Sequence, residues 1–208
     1  DGAFAEYAVA DARFTVNVPE GIDSLDAAAL TCAGVTSYKA VKVAEIEPAE
    51  TVAVFGIGGL GHLAVQYARL VGATLIAVDI DADKLELATA LGADHVVNAL
   101  KVDPVEAIKE LGGADVSLAF AVTPQAFQQA FDSLSPGGRL VCVAMPPDGT
   151  MNVPIFDIVI KGLKIIGSIV GTRQDLRDVF ELQANGRTRV IAEGRKLDEV
   201  NDAMAEVL

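Results

Sequence analysis

Residues 51–65 read TVAVFGIGGLGHLAV, in which a glycine-rich turn separates two apolar segments. The segment before the turn, residues 51–56, is apolar at successive positions, which is typical of a strand buried on both faces of a sheet. Beyond the turn, apolar residues recur at spacings of three and four as far as Val71, which predicts a helix that Gly72 ends. A strand, a tight turn and a helix in this order begin a βαβ unit.

The same alternation continues along the chain. Further strands are predicted at residues 74–79, 95–98, 114–120, 139–144 and 163–169, and helices at residues 82–91, 103–111 and 124–134. Strands that alternate with helices pair in parallel through right-handed crossovers. The sequence therefore predicts an α/β fold, a doubly wound parallel six-stranded sheet of the Rossmann type.

The first fifty residues have a different pattern. Residues 3–10 and 14–19 have strand character with no helix between them, and residues 23–44 are alanine-rich and helical in spacing. We predict that residues 1–30 are a small remnant of another domain. Residues 31–208 are predicted to form the sheet domain together with a bridging helix.

The turn contains the pattern G-x-G-x-x-G at Gly56, Gly58 and Gly61, with Gly59 and Leu60 inside it. The first glycine permits the tight turn, the second lets the backbone approach a pyrophosphate, and the third lets the helix pack closely on the strand. The helix N-terminus then offers amide groups and its positive dipole end to phosphates. A glycine turn without any ligand is the structural alternative, but the strand and helix on either side favour dinucleotide binding.

Asp79 lies 18 residues after Gly61, at the end of the second predicted strand. A carboxylate there accepts hydrogen bonds from ribose hydroxyls and repels a 2′-phosphate, and residues 80–83 include no arginine to neutralise one. Lys84 follows one turn later and is either a ribose contact or an ordinary exposed helix lysine. NAD is therefore predicted over NADP. S-adenosylmethionine is the alternative ligand, although no hairpin follows the sixth strand as in most methyltransferases.

Composition excludes several classes of function. The net charge of -13 and the lack of a basic cluster disfavour nucleic-acid binding. No apolar run approaches the roughly 20 residues that a membrane span needs, and the N-terminus shows no secretory pattern. Cys32 and Cys142 are far apart in apolar contexts, so we expect each to be a buried reduced thiol in a cytoplasmic protein.

Several stretches resemble the medium-chain, zinc-dependent alcohol dehydrogenases of the bacterial and yeast-like branch. They are GAFAEY at residues 2–7, TCAGVTSYKA at 31–40, GIGGLGHLAVQYA at 56–68 and LKIIGSIVGTR at 163–173. The resemblance implies an enzyme that oxidises a small alcohol to an aldehyde or ketone with NAD and zinc.

The resemblance also implies individual roles. Cys32 corresponds to a ligand of the catalytic zinc, Thr36 would face the nicotinamide ring, and Leu60 would back its other side. The backbone of three further residues is expected to hold the carboxamide: Val143, Ser168 and Val170.

The sequence departs from the family where zinc is concerned. Catalytic zinc needs three protein ligands, and the Cys and Gly-His-Glu segment that supplies the others in the family does not occur here. His62 and His95 are expected to be structural, and Cys32 to be a buried apolar residue without zinc. Because only one zinc ligand remains, we expect a cofactor-binding fragment that is inactive alone. The chain stops at Leu208, before a family strand that carries a pyrophosphate-binding arginine, so its affinity for NAD is expected to be weakened. A stand-alone nucleotide-binding module is the alternative.

Residues 154–170 are strongly apolar and include the last predicted strand. An exposed apolar edge strand favours pairing with another chain. Since the family dimerises by joining such edges, the resemblance implies a homodimer through residues 163–170. A loop or the predicted helix at residues 173–184 could instead cover this edge.

Overall fold

One parallel sheet forms the centre of the protein. The computed structural model describes residues 4–147 and 149–207. Its strands are β1 Thr51–Phe55, β2 Thr74–Asp79, β3 His95–Asn98, β4 Ala114–Ala119, β5 Leu134–Cys142 and β6 Lys164–Gly167. Every strand pair is parallel and the order is β3-β2-β1-β4-β5-β6. This is the doubly wound topology with a change of direction beside β1, and it confirms the predicted fold class.

Helices precede the first strand, connect the strands and follow the last one. They are α1 Ser24–Ala29, α2 Val35–Val43, α3 Gly61–Val71, α4 Ala82–Ala90, α5 Pro104–Glu110, α6 Pro124–Asp132, α7 Ile155–Lys161, α8 Arg173–Ala184 and α9 Val200–Val207. A π-helical segment, Leu30–Gly34, joins α1 to α2. Gly72 ends α3 in the left-handed conformation (φ 95°), as predicted. Among the described helices, none is long and apolar enough to cross a membrane.

Strand β1 shows why the sheet needs apolar residues at consecutive positions. Val52 and Val54 face a core formed with α1 to α4 and α8, whereas Ala53 and Phe55 face a second core formed with α5 and α6. Adjacent side chains of a strand point to opposite faces, so a strand covered on both faces cannot alternate between apolar and polar residues. The sheet is thus the middle of three layers.

A buried arginine joins the end of α2 to the sheet. Arg139 on β5 donates to both carboxylate oxygens of Glu50, at 2.9 and 2.6 Å, and to the carbonyls of Ala44 and Glu45. The hydrogen bonds from Arg139 lower the pKa of Glu50. A buried cation is tolerated only with such partners, so this group fixes how α2 leads into β1.

The strands predicted near the N-terminus were wrong, and one helix was missed. Residues 4–10 and 14–19 form no strand, and the structure places a 3-10 helix at Ala12–Phe14 instead; residue 3 lies outside the described residues. A strand needs a paired neighbour, and no described strand pairs with either segment. The apolar stretch before the last strand also forms a helix, α7, which was not predicted. The predicted boundary between residues 30 and 31 stays a prediction.

Candidate dinucleotide-binding site

The glycine turn, residues 56–61, connects β1 to α3. Gly56 has a φ of 91°, and its N–H donates to the carbonyl of Val78 at 2.8 Å. A Cβ on Gly61 would lie 1.9 Å from the Gly56 carbonyl oxygen, so only glycine allows this approach of helix to strand. By contrast, a Cβ on Gly58 or Gly59 would meet no atom within 4 Å. The turn is therefore closed on its inner side and open on its outer side.

Unpaired backbone donors lie on this turn. The N–H groups of Gly59, Leu60 and Gly61 donate no hydrogen bond within the described residues, whereas the next three amides along α3 are all bonded. No side chain caps α3 either. Free amides together with the positive end of a helix dipole form a site for an anion such as a pyrophosphate. The structure thus offers the donors that the sequence pattern predicts.

Asp79 lies at the end of β2, against the turn. Its Oδ2 accepts from the Ile57 N–H at 2.6 Å, and its Oδ1 accepts from the N–H groups of Ile80 and Asp81 at 2.8 and 3.0 Å. An ionised carboxylate has about four acceptor positions, so these three bonds leave capacity for a ribose hydroxyl. They also fix its orientation. Asp79 is therefore both part of the turn and a candidate ligand contact.

A cavity of about 300 Å³ opens beside Asp79. Its walls are mostly apolar and come from the ends of β1 and β2, the loops after β1 to β4 and the first part of α6: Phe55, Gly56, Val78, Asp79, Ile80, Ala99, Leu100, Ala121, Thr123, Gln125, Ala126 and Gln129. This volume lies at the lower end of small-molecule sites. The cavity is thus an apolar slot that borders the Asp79 carboxylate. The lining residues after β3 and β4 were not predicted from the sequence, although their position behind parallel strands would have indicated them.

The residues expected to hold the nicotinamide lie farther along the same edge of the sheet. Val143 follows β5 and Ser168 follows β6, and the Ser168 N–H donates to the Cys142 carbonyl at 2.9 Å. Asp79 and Ser168 are separated by four strand spacings, roughly 19 Å. Only an elongated ligand, longer than a mononucleotide, reaches both. Val170 has a φ of 44°, a strained conformation for a β-branched residue.

Helix α2 packs against this part of the edge. The Ser37 hydroxyl donates to the Leu60 carbonyl at 2.8 Å, and a Cβ on Gly171 would lie 2.7 Å from a methyl of Val35. Thr36, which is buried, lies between these two contacts in sequence. The structure therefore brings the helix of Thr36 together with the glycine turn and with the loop after β6.

A buried carboxylate fixes the loop after β6. Asp175 accepts from Lys42 Nζ at 2.8 Å, lies 3.6 Å from Lys39 Nζ, and accepts from the backbone and hydroxyl of Thr172 at 2.8 Å each. Burial alone would raise the pKa of Asp175, but the hydrogen bonds from Lys42 and Thr172 outweigh it and hold the pKa well below its usual range. Helix α8 is thereby joined to α2.

Zinc does not fit the described residues on their own. Cys32 lies in the π-helical segment and is exposed, so the expectation that it is buried was wrong; Cys142 is half-buried, and burial raises its pKa. In the described parts of the chain, no three His, Cys, Asp or Glu residues are grouped to hold a metal. His95 and Lys84 are both exposed.

The comparisons with known proteins agree with this geometry. The family model described as "Zinc-binding dehydrogenase" matches residues 59–185, which is more than half of the chain. The chain belongs to the zinc-binding dehydrogenase family. This confirms the resemblance that the sequence motifs indicated. The match runs from the second half of the glycine turn through β2 to β6 and ends after α8.

Individual members of this family are similar over nearly all of the chain. An alcohol dehydrogenase of Geobacillus stearothermophilus is 45% identical over 97% of this chain and 60% of its own length. The crystal structure of an alcohol dehydrogenase from the archaeon Aeropyrum pernix has a TM-score of 0.92 and 36% identity, covering 100% of this chain and 62% of that one. Acetophenone reductase of Geotrichum candidum, solved in complex with NAD, has a TM-score of 0.81 and 28% identity over 92% of this chain and 55% of its own. The chain thus spans about 60% of the length of such relatives.

Proposed function

We propose that the chain is the NAD-binding portion of a cytoplasmic, zinc-dependent alcohol dehydrogenase that converts an alcohol and NAD to an aldehyde or ketone and NADH. The observation that carries the proposal is the row of unpaired amides on the glycine turn beside the fixed carboxylate of Asp79. The amides suit a pyrophosphate, and the carboxylate suits a ribose that has no 2′-phosphate. The NAD complex of the related acetophenone reductase supports the same ligand.

The residues of this chain would bind and orient the cofactor. Bound NAD supplies a hydride acceptor. Gly59 and its neighbours would hold the pyrophosphate, Asp79 and Lys84 the ribose, and Leu60 and Thr36 the two sides of the nicotinamide ring. The carboxamide would be held by the backbone of Val143, Ser168 and Val170. Fixing the ring in one orientation is what this part of the protein contributes to hydride transfer.

These residues do not provide a complete site for the alcohol. Cys32 is proposed as one zinc ligand of the whole protein, and a zinc site with catalytic function needs two more. We expect the isolated chain to bind NAD and to oxidise no alcohol. Steady-state absorbance of NADH with ethanol and added zinc tests this, and zinc-dependent turnover would refute it.

Calorimetric titration with NAD, NADP and S-adenosylmethionine tests the proposed ligand. We expect NAD to bind more tightly than NADP, and Asp79→Asn to remove that preference because it removes the charge that repels a 2′-phosphate. The matched control is Asp83→Asn, which removes an exposed carboxylate of α4 and should keep the preference for NAD over NADP. Tighter binding of S-adenosylmethionine than of NAD would instead favour a methyltransferase.

We also propose that the protein forms a homodimer through the edge of the sheet at residues 163–170. Strand β6 pairs only with β5 among the described strands, and α7 beside it exposes Ile155, Phe156, Val159 and Ile160. An apolar surface next to an unpaired strand edge favours strand pairing with a second copy. Light scattering should give a dimer mass at micromolar concentration. Ile165→Lys, on the edge itself, should give a monomer.

A further inference from the structure

His62 has a hydrogen bond at both ring nitrogens, although it is almost completely buried on α3. Nδ1 lies 3.0 Å from the Gly58 carbonyl oxygen, and Nε2 accepts from the N–H of Ile191 at 3.2 Å. Because a backbone N–H can only donate, Nε2 carries no proton, and the ring proton lies on Nδ1 and is donated to Gly58. Burial lowers the pKa of His62, which favours the same neutral form.

This ring fixes one peptide plane of the glycine turn. The Gly58 carbonyl accepts from the His62 ring and also from the His62 backbone N–H, at 3.1 Å. In a trans peptide the carbonyl and the following N–H point in opposite directions, and the described chain contains no cis peptide. When the Gly58 oxygen is held against α3, the Gly59 N–H is therefore directed away from it. That N–H is one of the unpaired donors on the open side of the turn.

Gln66, one helical turn beyond His62, holds the same distant segment. Its side-chain N–H groups donate to the Arg189 carbonyl at 2.9 Å and to the His62 carbonyl at 3.0 Å, and its Oε1 accepts from the Arg189 N–H at 2.7 Å. Residues 189–191 are thus bonded to α3 by two bonds at Gln66 and one at His62. Because the Gln66 amide bonds both the carbonyl and the N–H of Arg189, the segment cannot slide along α3 without breaking both bonds.

We propose that His62 and Gln66 are positioning residues that couple the glycine turn to residues 189–191. His62 presents the Gly59 amide to the pyrophosphate and, through its other nitrogen, makes the orientation of that amide depend on the seating of residues 189–191. Binding of the dinucleotide and ordering of this segment then favour each other. This inference rests on the proposed function in that the ligand is taken to be a dinucleotide.

Variants of the two residues, titrated with NAD by calorimetry, test the coupling. We expect His62→Ala to weaken NAD binding about tenfold, since it frees the plane of one donor peptide. His62→Asn keeps a donor for Gly58 and should recover most of the affinity, but it cannot reach Ile191. The control is His95→Ala, which replaces the only other histidine, an exposed one; this variant should bind NAD as the unmodified chain does. Gln66→Leu should weaken NAD binding only a few-fold, because it releases residues 189–191 but leaves the bond between the His62 ring and Gly58 intact.

Two measurements separate positioning from a merely structural role. Nitrogen NMR should show His62 as the Nδ1–H tautomer, in a chain whose only other imidazole is exposed. Amide exchange at Arg189 and Ile191 should slow when NAD binds, and this slowing should be lost in His62→Ala and in Gln66→Leu. NAD affinity of His62→Ala equal to that of His95→Ala would overturn the coupling.

A chain that binds no dinucleotide would refute the proposed function. In that case, the His62 tautomer and the amide exchange rates of the unliganded protein still test whether the glycine turn is coupled to residues 189–191. An Nε2–H tautomer, or equal exchange of Ile191 with and without the His62 ring, would overturn it. Far-UV circular dichroism of His62→Ala and His62→Asn is the control: an unchanged spectrum shows that the variants are folded, so that weaker binding is due to the lost contact and not to unfolding.

Discussion

Gly61→Ala should unfold the protein more readily, because the added Cβ would lie 1.9 Å from a backbone oxygen of Gly56. Ordinary contact begins at 3.4 Å, so α3 would have to retreat by about 1.5 Å from β1. The Cβ would also lie 2.8 Å from the Gly56 carbonyl carbon, and both of these atoms belong to the backbone, so no side chain can rotate away to make room. Helix α3 carries Leu63 and Ala64, which are completely buried in the core. We expect a loss of about 3 kcal/mol or more in the free energy of unfolding, the upper end of the cost of overpacking.

Gly58→Ala is the matched control, and its effects should have the opposite sign. A Cβ there meets nothing within 4 Å, and Gly58 is not in the left-handed region. Replacing such a glycine should stabilise the protein by about 0.4–1 kcal/mol, because the unfolded chain loses freedom. The same Cβ would occupy the open side of the turn, where a pyrophosphate would bind. NAD affinity should therefore fall sharply while the fold becomes more stable.

Urea unfolding followed by far-UV circular dichroism gives the free energies, since the chain has no tryptophan to report by fluorescence. Calorimetry with NAD gives the affinities of the same preparations. If Gly61→Ala unfolds within 1 kcal/mol of the unmodified chain, as resolved by linear extrapolation, then the close approach is not what requires glycine. If Gly58→Ala binds NAD unchanged, the pyrophosphate does not lie on this side of the turn.

Three further predictions concern stability. Glu50→Gln should cost roughly 2–3 kcal/mol in urea unfolding, because Arg139 would stay buried without a full counter-charge; Glu47→Gln, an exposed neighbour, should cost little. Asp175→Asn should destabilise at neutral pH, and its difference from the unmodified chain should shrink below about pH 4. The sign follows from a folded pKa below the unfolded one: the contribution is present above the unfolded value and is lost as the pH falls. A difference that grows in acid would contradict this. Val170→Gly should raise the midpoint of thermal unfolding by relieving the left-handed strain, and Val170→Ala should not.

The parts of the fold that follow from local chemistry could be predicted from the sequence. The apolar run of β1, the glycines of the turn and the acid at the end of β2 each act within a few residues of their own position. A parallel sheet then places the ends of these strands at one edge without further information. The glycine turn and the position of the carboxylate beside it were therefore predictable from residues 51–79 alone.

The parts that depend on distant partners could not be predicted. Arg139 on β5 meets Glu50, and His62 meets Ile191, at separations of 89 and 129 residues. No local pattern encodes either pair. The strand prediction for the N-terminal segments was wrong for a related reason, since a segment with strand character forms a strand only where a neighbouring strand can pair with it. Cys32, in the π-helical segment, is exposed although the spacing of the residues around it is that of a buried helix.

The double role of Asp79 decides how its variants must be interpreted. The carboxylate that would select NAD also accepts the Ile57 N–H within the turn and two amides leading into α4. Asp79→Ala would remove both acceptor oxygens, and with them three hydrogen bonds and the charge. A loss of binding would then not separate cofactor selection from a displaced turn. Asp79→Asn keeps one carbonyl oxygen at the same position. If Asp79→Asn binds NAD and NADP equally while retaining the stability of the unmodified chain, selectivity comes from the charge itself, and the turn needs only an acceptor there.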